Sequence, residues 1–148
     1  MLAESFLSAE TLNLSPAGRR VLIDILHGLE TGEIADHLFS MEQIGEPECG
    51  TAGCFLGWAM SLDPFALPSP KTIVQSDAYP GLRQLCFPEY DNCPLGYKAD
   101  RKESAQALRN FLTTGQPLWN SVMLAVDVFE LLSRMPANEI RSTIAEVA

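Results

Sequence analysis

The chain has no concentrated basic patch. Ten Lys and Arg are scattered among nineteen Asp and Glu, and the formal net charge is −9. Only Arg19-Arg20 and Arg101-Lys102 are adjacent, each pair close to an expected helix start. Phosphate backbones and anionic membranes need a clustered positive footprint. Nucleic acid and membrane surfaces are therefore not expected as partners. An acidic field steers positive ligands instead, which leaves room for a protein partner carrying basic groups. The plainer role of the charge is solubility. A long apolar run is also missing. Leu118 to Leu132 is the most apolar stretch, but it carries Asp127 and Glu130 and is too short to span a bilayer. Met1 to Phe6 has no basic start followed by an apolar segment, so it does not read as a signal peptide. A cytoplasmic protein is expected. Four cysteines in 148 residues are too sparse for a disulfide scaffold.

Motifs that carry chemistry are scarce. No Ser/His/Asp order, paired-carboxylate motif, Cys-x-x-Cys, Gly-Lys-Ser/Thr loop or Rossmann glycine pattern occurs. The two histidines, His27 and His37, lie on expected helices and read as partly buried or surface side chains. No catalytic residue, metal or cofactor is assigned.

What is present is helix punctuation. A chain of this length fits one domain that buries roughly two-thirds of its unfolded surface. The expected domain spans 1–148. Leu2, Phe6 and Leu7 would share a face of a short N-terminal helix. Ser15-Pro16 is an N-cap followed by proline at the first helical position, and Val21, Leu22, Ile25, Leu26 and Leu29 follow at helical spacing. Gly32 supplies the stop. A short helix from Glu33 to about Ser40 follows, with Ile34 and Leu38 inward. Thr51 can cap a helix through Phe55, Leu56, Trp58, Ala59 and Leu62, which Asp63-Pro64 ends. Residues 63–98 form a proline-rich, irregular excursion holding a short helix at Pro80 to Cys86. The β-branched pair Ile73-Val74 points to an edge strand at Thr72 to Gln75. Asp100-Arg101-Lys102-Glu103 is a capping box, and its helix stops at Gly115. Pro117 opens a central helix over 117–135, apolar nearly all round and hence buried. A last helix starts at Pro136, with Ile140, Ile144 and Val147 on one stripe. The expected fold is mainly α, a bundle of six or seven helices.

The least ordinary stretch is Cys49-Gly50-Thr51-Ala52-Gly53-Cys54, leading to Gly57-Trp58. Four readings are open. In a structural one, Gly50 and Gly53 make a tight corner, Thr51 caps, Cys54 and Gly57 allow close helix approach, and Trp58 anchors the core. In a thiol reading, a helix N-terminus lowers the Cys54 pKa, with Cys49 as resolving partner. In a metal reading, Cys49 and Cys54 join His37 and Cys86 or Cys93. In an anion reading, the N–H groups of Gly50 to Gly53 hold a phosphate or carboxylate.

Phe39-x-Met41, followed by Pro47-Glu48-Cys49-Gly50-Thr51-Ala52-x-Cys54-x-x-Gly57-Trp58-Ala59, resembles a family of small uncharacterised bacterial and phage proteins. Its members share a Cys-Gly-Thr-x-x-Cys-x-x-Gly-Trp motif. Leu85-x-Phe87-x-x-x-Tyr90, Leu112-Thr113-Thr114-Gly115 and Trp119 are similar to the same group. The chain departs from the pattern around Gln43, where a Trp is expected. The resemblance implies a grouping and no activity. The expected function is a non-enzymatic protein-protein interaction or regulatory module, with a symmetric homodimer as the default assembly. The alternative is a thiol-dependent or small-ligand-binding protein centred on the Cys49–Cys54 loop. Cys49, Gly50, Thr51, Gly53, Cys54 and Trp58 are the candidate ligand or partner contacts.

Overall fold

Ser15 accepts a hydrogen bond from the Gly18 N–H at 2.9 Å, and Pro16 stands at the first helical position. That pairing opens the longest helix of a computed structural model describing residues 5–134. The chain is mainly helical. Among the described residues, eight α-helices run in order: α1 Ala9–Leu12, α2 Pro16–Thr31, α3 Phe55–Leu62, α4 Pro70–Gln75, α5 Pro80–Cys86, α6 Arg101–Thr114, α7 Trp119–Leu124 and α8 Val128–Ser133. Short 3-10 turns fill Asp36–Leu38, Pro47–Cys49, Pro88–Asp91 and Pro94–Lys98. Among the described residues there is no sheet, only an isolated parallel bridge between Phe39 and Gly53.

The core forms where α2 packs on both α6 and α3. Val21, Leu22, Ile25, Leu26 and Leu29 are buried, as their spacing predicts, and meet Ala105, Leu108, Phe111 and Leu112 of α6 in one cluster. Gly32 stops α2 at φ 86° and Gly115 stops α6 at φ 87°. The capping box at Asp100 and Glu103 is present in full. Arg109 holds α6 to α2 by gripping Glu30, and Arg101 donates to the Leu29 carbonyl at 2.6 Å.

Several elements differ from expectation. The N-terminal helix is only Ala9–Leu12. Phe6 is buried before it, and Leu2 lies outside the described residues. The segment after Gly32 is a single 3-10 turn rather than a helix from Glu33 to Ser40. Ile34 is buried, but Leu38 only partly so. The expected edge strand at Thr72 to Gln75 is helix α4. Ser69 caps it and Pro70 opens it, and together they override the preference of two β-branched residues. The excursion 63–98 is not irregular. Pro70, Pro80, Pro88 and Pro94 each open a helical turn, because a proline nitrogen needs no intrahelical partner there. The central helix 117–135 is two helices, α7 and α8. Asp127 Oδ1 accepts the N–H groups of Phe129 and Glu130 at 2.8 and 3.3 Å, restarting the helix. Nor is it buried throughout, since Leu124, Val128 and Phe129 face outward. The helix expected from Pro136 lies outside the described residues.

Candidate functional site

The Cys-Gly-Thr segment is a closed corner. Thr51 does not cap α3. Its hydroxyl accepts the Glu46 N–H at 2.7 Å, while the Thr51 N–H reaches the Glu46 carbonyl at 3.3 Å. Cys54 occupies the N-cap position instead, with extended backbone angles. The corner lies tightly against residues 43–45. The Cys54 N–H donates to the Gln43 carbonyl at 3.0 Å. A Cβ on Gly57 would stand 1.6 Å from the Ile44 carbonyl oxygen, and one on Gly53 would stand 2.6 Å from it. The glycines are therefore close-approach residues, as two backbones pass where no side chain fits. Gly53 also exchanges hydrogen bonds with Leu38 and Ser40, both at 3.1 Å. Half-buried Trp58 donates from Nε1 to the Leu38 carbonyl at 2.9 Å, pinning α3 to this strand-like stretch.

This geometry bears on each reading of the corner. The N–H groups of Gly50, Thr51, Gly53 and Cys54 all point to carbonyls of the chain itself. An anion would have to displace those bonds. Cys49 is exposed and Cys54 buried, with no disulfide between them. Burial pushes the Cys54 thiol up and outweighs the N–H groups of Gly57 and Leu56, which favour thiolate. That direction is opposite to the one expected from a helix N-terminus. Burial also raises the Cys86 thiol well above the ordinary value, and neighbouring Cys54 adds to this. Among the described residues no three His, Cys, Asp or Glu are arranged to hold a metal ion, so His37 and the cysteines are not brought together as ligands.

The outstanding surface feature lies at the other end of α3. Phe65 is 94% exposed, and Met60 and Leu62 are about half exposed. Phe65 and Met60, with the Asp63 carboxylate, line a cleft of about 280 Å³ together with Leu56, Ala59 and Leu67. The turn that carries Phe65 is held firmly. The Ala66 N–H donates to the Asp63 carbonyl at 3.1 Å, and the Ala66 carbonyl accepts the Ser15 hydroxyl at 3.1 Å. Ala66 itself is buried, so Phe65 is turned outward from a fixed base. Met60 and Phe65 were absent from the sequence-based candidates. A signal was there: from Gly50 to Ser76 the only charged residues are Asp63 and Lys71. Leu124, Val128 and Phe129 make a second exposed apolar group around α7 and α8, adjoining the end of the described chain.

Elsewhere the cations are mostly engaged. Arg83, Lys98, Arg101, Arg109 and Arg134 each pair with a carboxylate. Among the described residues no helix is long and apolar enough to cross a membrane. No family model matches the chain, and no curated protein or solved structure shows significant similarity to it.

Proposed function

We propose that the chain is a non-enzymatic protein-interaction module whose contact surface is the end of α3 and the turn after it. One observation carries this reading. Phe65 stands almost fully exposed on a turn anchored at Ala66, beside an apolar cleft. An exposed apolar patch rimmed by a polar surface is the usual mark of a contact site. A rigidly held aromatic loses little conformational freedom on binding, so it makes an efficient anchor. The Cys49–Cys54 corner serves this surface indirectly, by fixing where α3 begins. The grouping with small bacterial and phage proteins and a cytoplasmic setting belong to the same reading.

The test compares the wild-type chain with Phe65→Asp. Each is immobilised and challenged with extract of the native host, and retained proteins are identified by mass spectrometry. Specific proteins retained by the wild type and lost with Phe65→Asp are expected. Equal retention by both overturns the assignment of the surface. The alternative centred on Cys49 and Cys54 would draw support from a Cys54 thiol that alkylates rapidly at neutral pH.

A further inference from the structure

We propose that the α3-end cleft receives an arginine side chain of a basic protein partner, its guanidinium set over the Phe65 ring and paired with Asp63. This rests on the interaction-module reading and names the chemistry that the surface selects. The chain itself shows the arrangement twice. Arg109 stands 5.6 Å over the Phe6 ring while it grips Glu30, and Arg83 stands 5.5 Å over the Tyr90 ring and 3.9 Å from Asp77. In each, one guanidinium meets an aromatic face and a carboxylate together. Phe65 and Asp63 bring the same two groups to one cleft, without the cation. Among the described residues no cation pairs with Asp63 or stands over Phe65.

Electrostatics leave this corner short of positive charge. Asp63 follows the last turn of α3, where the helix carbonyls already present negative charge, and that turn holds no basic residue. The hydrogen bond its carboxylate accepts from the Phe65 N–H is long, at 3.4 Å. A cation entering here is stabilised by the carboxylate and the helix end together. The net charge of −9 draws basic partners in from a distance. Size narrows the ligand. At about 280 Å³ the cleft falls just below the roughly 300–1,000 Å³ of small-molecule sites, so it suits one side chain. Leu56, Ala59 and Leu67 line the path of an aliphatic stem, which long basic side chains bury while the charged head stays at the rim. Arginine fits better than lysine. Its planar head stacks on a ring and pairs with a carboxylate at once, whereas an ammonium is a strongly hydrated point charge. Half-exposed Leu62, next to Asp63, offers contact to an apolar neighbour of that arginine, which a protein segment has and free arginine lacks.

Amide NMR of the isotope-labelled full chain tests this. The probes are a capped leucine-arginine-leucine tripeptide, its citrulline counterpart, which keeps the shape without the charge, and free arginine. The arginine tripeptide is expected to give saturable shifts confined to residues 56–70, around the cleft. The citrulline tripeptide should bind about tenfold more weakly, as loss of a charge-assisted pair does. Asp63→Asn should weaken the arginine tripeptide by a similar factor. Asparagine keeps an Oδ1 acceptor for the Phe65 N–H, so the turn stays in place. Phe65→Ala should weaken it about threefold, through loss of the ring face. Shifts that spread over the acidic surface without saturating overturn the proposal. So does an affinity unchanged in Asp63→Asn. Free arginine that binds as tightly as the tripeptide overturns the protein partner. The two readings fail separately. Host proteins lost with Phe65→Asp but retained by Asp63→Asn uphold the surface and overturn arginine as its ligand. Saturable, Asp63-dependent tripeptide binding with equal host-protein retention by Phe65→Asp upholds the arginine site and removes this face from the host-protein contacts.

Discussion

At the scale of single residues, the corner turns on which glycines have company. Gly50 has φ 86° and open space around its Cα, so an added methyl would meet only backbone strain. Gly57 is helical, but its missing Cβ leaves room for the Ile44 carbonyl. Gly50→Ala should therefore cost about 1 kcal/mol. Gly57→Ala should cost about 3 kcal/mol or more, because the obstacle is backbone that cannot rotate away. Urea unfolding of the two variants checks the order, and equal costs would contradict the close approach at Ile44. The cysteines divide in the same way. Cys49 is exposed, whereas Cys54, Cys86 and Cys93 are buried with thiols pushed up mainly by burial. Alkylation at neutral pH followed by peptide mapping should label Cys49 first. The other three should react only as the protein unfolds. Fast labelling of Cys54 would revive the thiol reading.

At the scale of elements, local chemistry was legible in the sequence and long-range chemistry was not. Ser15-Pro16, Gly32, the Asp100–Glu103 box, Gly115 and the Pro80–Cys86 helix all depend on neighbours within a few positions, and each is where the sequence places it. Ser69-Pro70 carries the same signature as Ser15-Pro16, yet two β-branched residues drew attention to a strand instead. Asp127 was readable as a cap, but the apolar residues around it argued for one unbroken helix. The corner was recognisable as tight, although its cap is Cys54 rather than Thr51. The outward setting of Phe65 was not readable. It depends on a hydrogen bond from Ser15 to the Ala66 carbonyl, across a separation of 51 residues. Ser15 thus acts twice, capping α2 and tethering the Phe65 turn. Ser15→Ala should cost about 1 to 2 kcal/mol. It should also weaken retention of host proteins while leaving Phe65 itself intact. Thermal unfolding reads the first effect and the immobilised-chain comparison the second. A variant destabilised by this amount but retaining the same proteins would show that the tether does not preorganise the turn.

At the scale of the whole molecule, a strongly acidic chain holds together because its arginines bridge elements while its thiols stay neutral inside. Arg134 joins α8 to the start of α6 through Glu103 at 2.6 Å, and Arg109 joins α6 to α2. Burial works against the Arg134 charge, but its hydrogen bonds to Glu103 and Glu130 outweigh that and push its pKa up. The interior thiols do not stay neutral in the unfolded chain. Cys54, Cys86 and Cys93 have folded-state pKa values above the ordinary 9.0. Over the range between the ordinary and the folded value, the unfolded chain has released protons that the native state retains. The stability they contribute is thus fully present below the ordinary thiol value and falls as pH rises past it. Each thiol that stays protonated in the fold removes about 1.4 kcal/mol per pH unit across that range. The urea midpoint should hold steady near neutrality and drop steeply toward about pH 10. Self-repulsion of an acidic chain also grows with pH, so slope alone does not identify the thiols. Cys86→Ala separates the two effects. It lowers stability at every pH by leaving a small cavity, but its midpoint should fall less steeply than the wild type's above the ordinary thiol value. Parallel curves would assign the alkaline loss to charge repulsion and remove the buried thiols from the account.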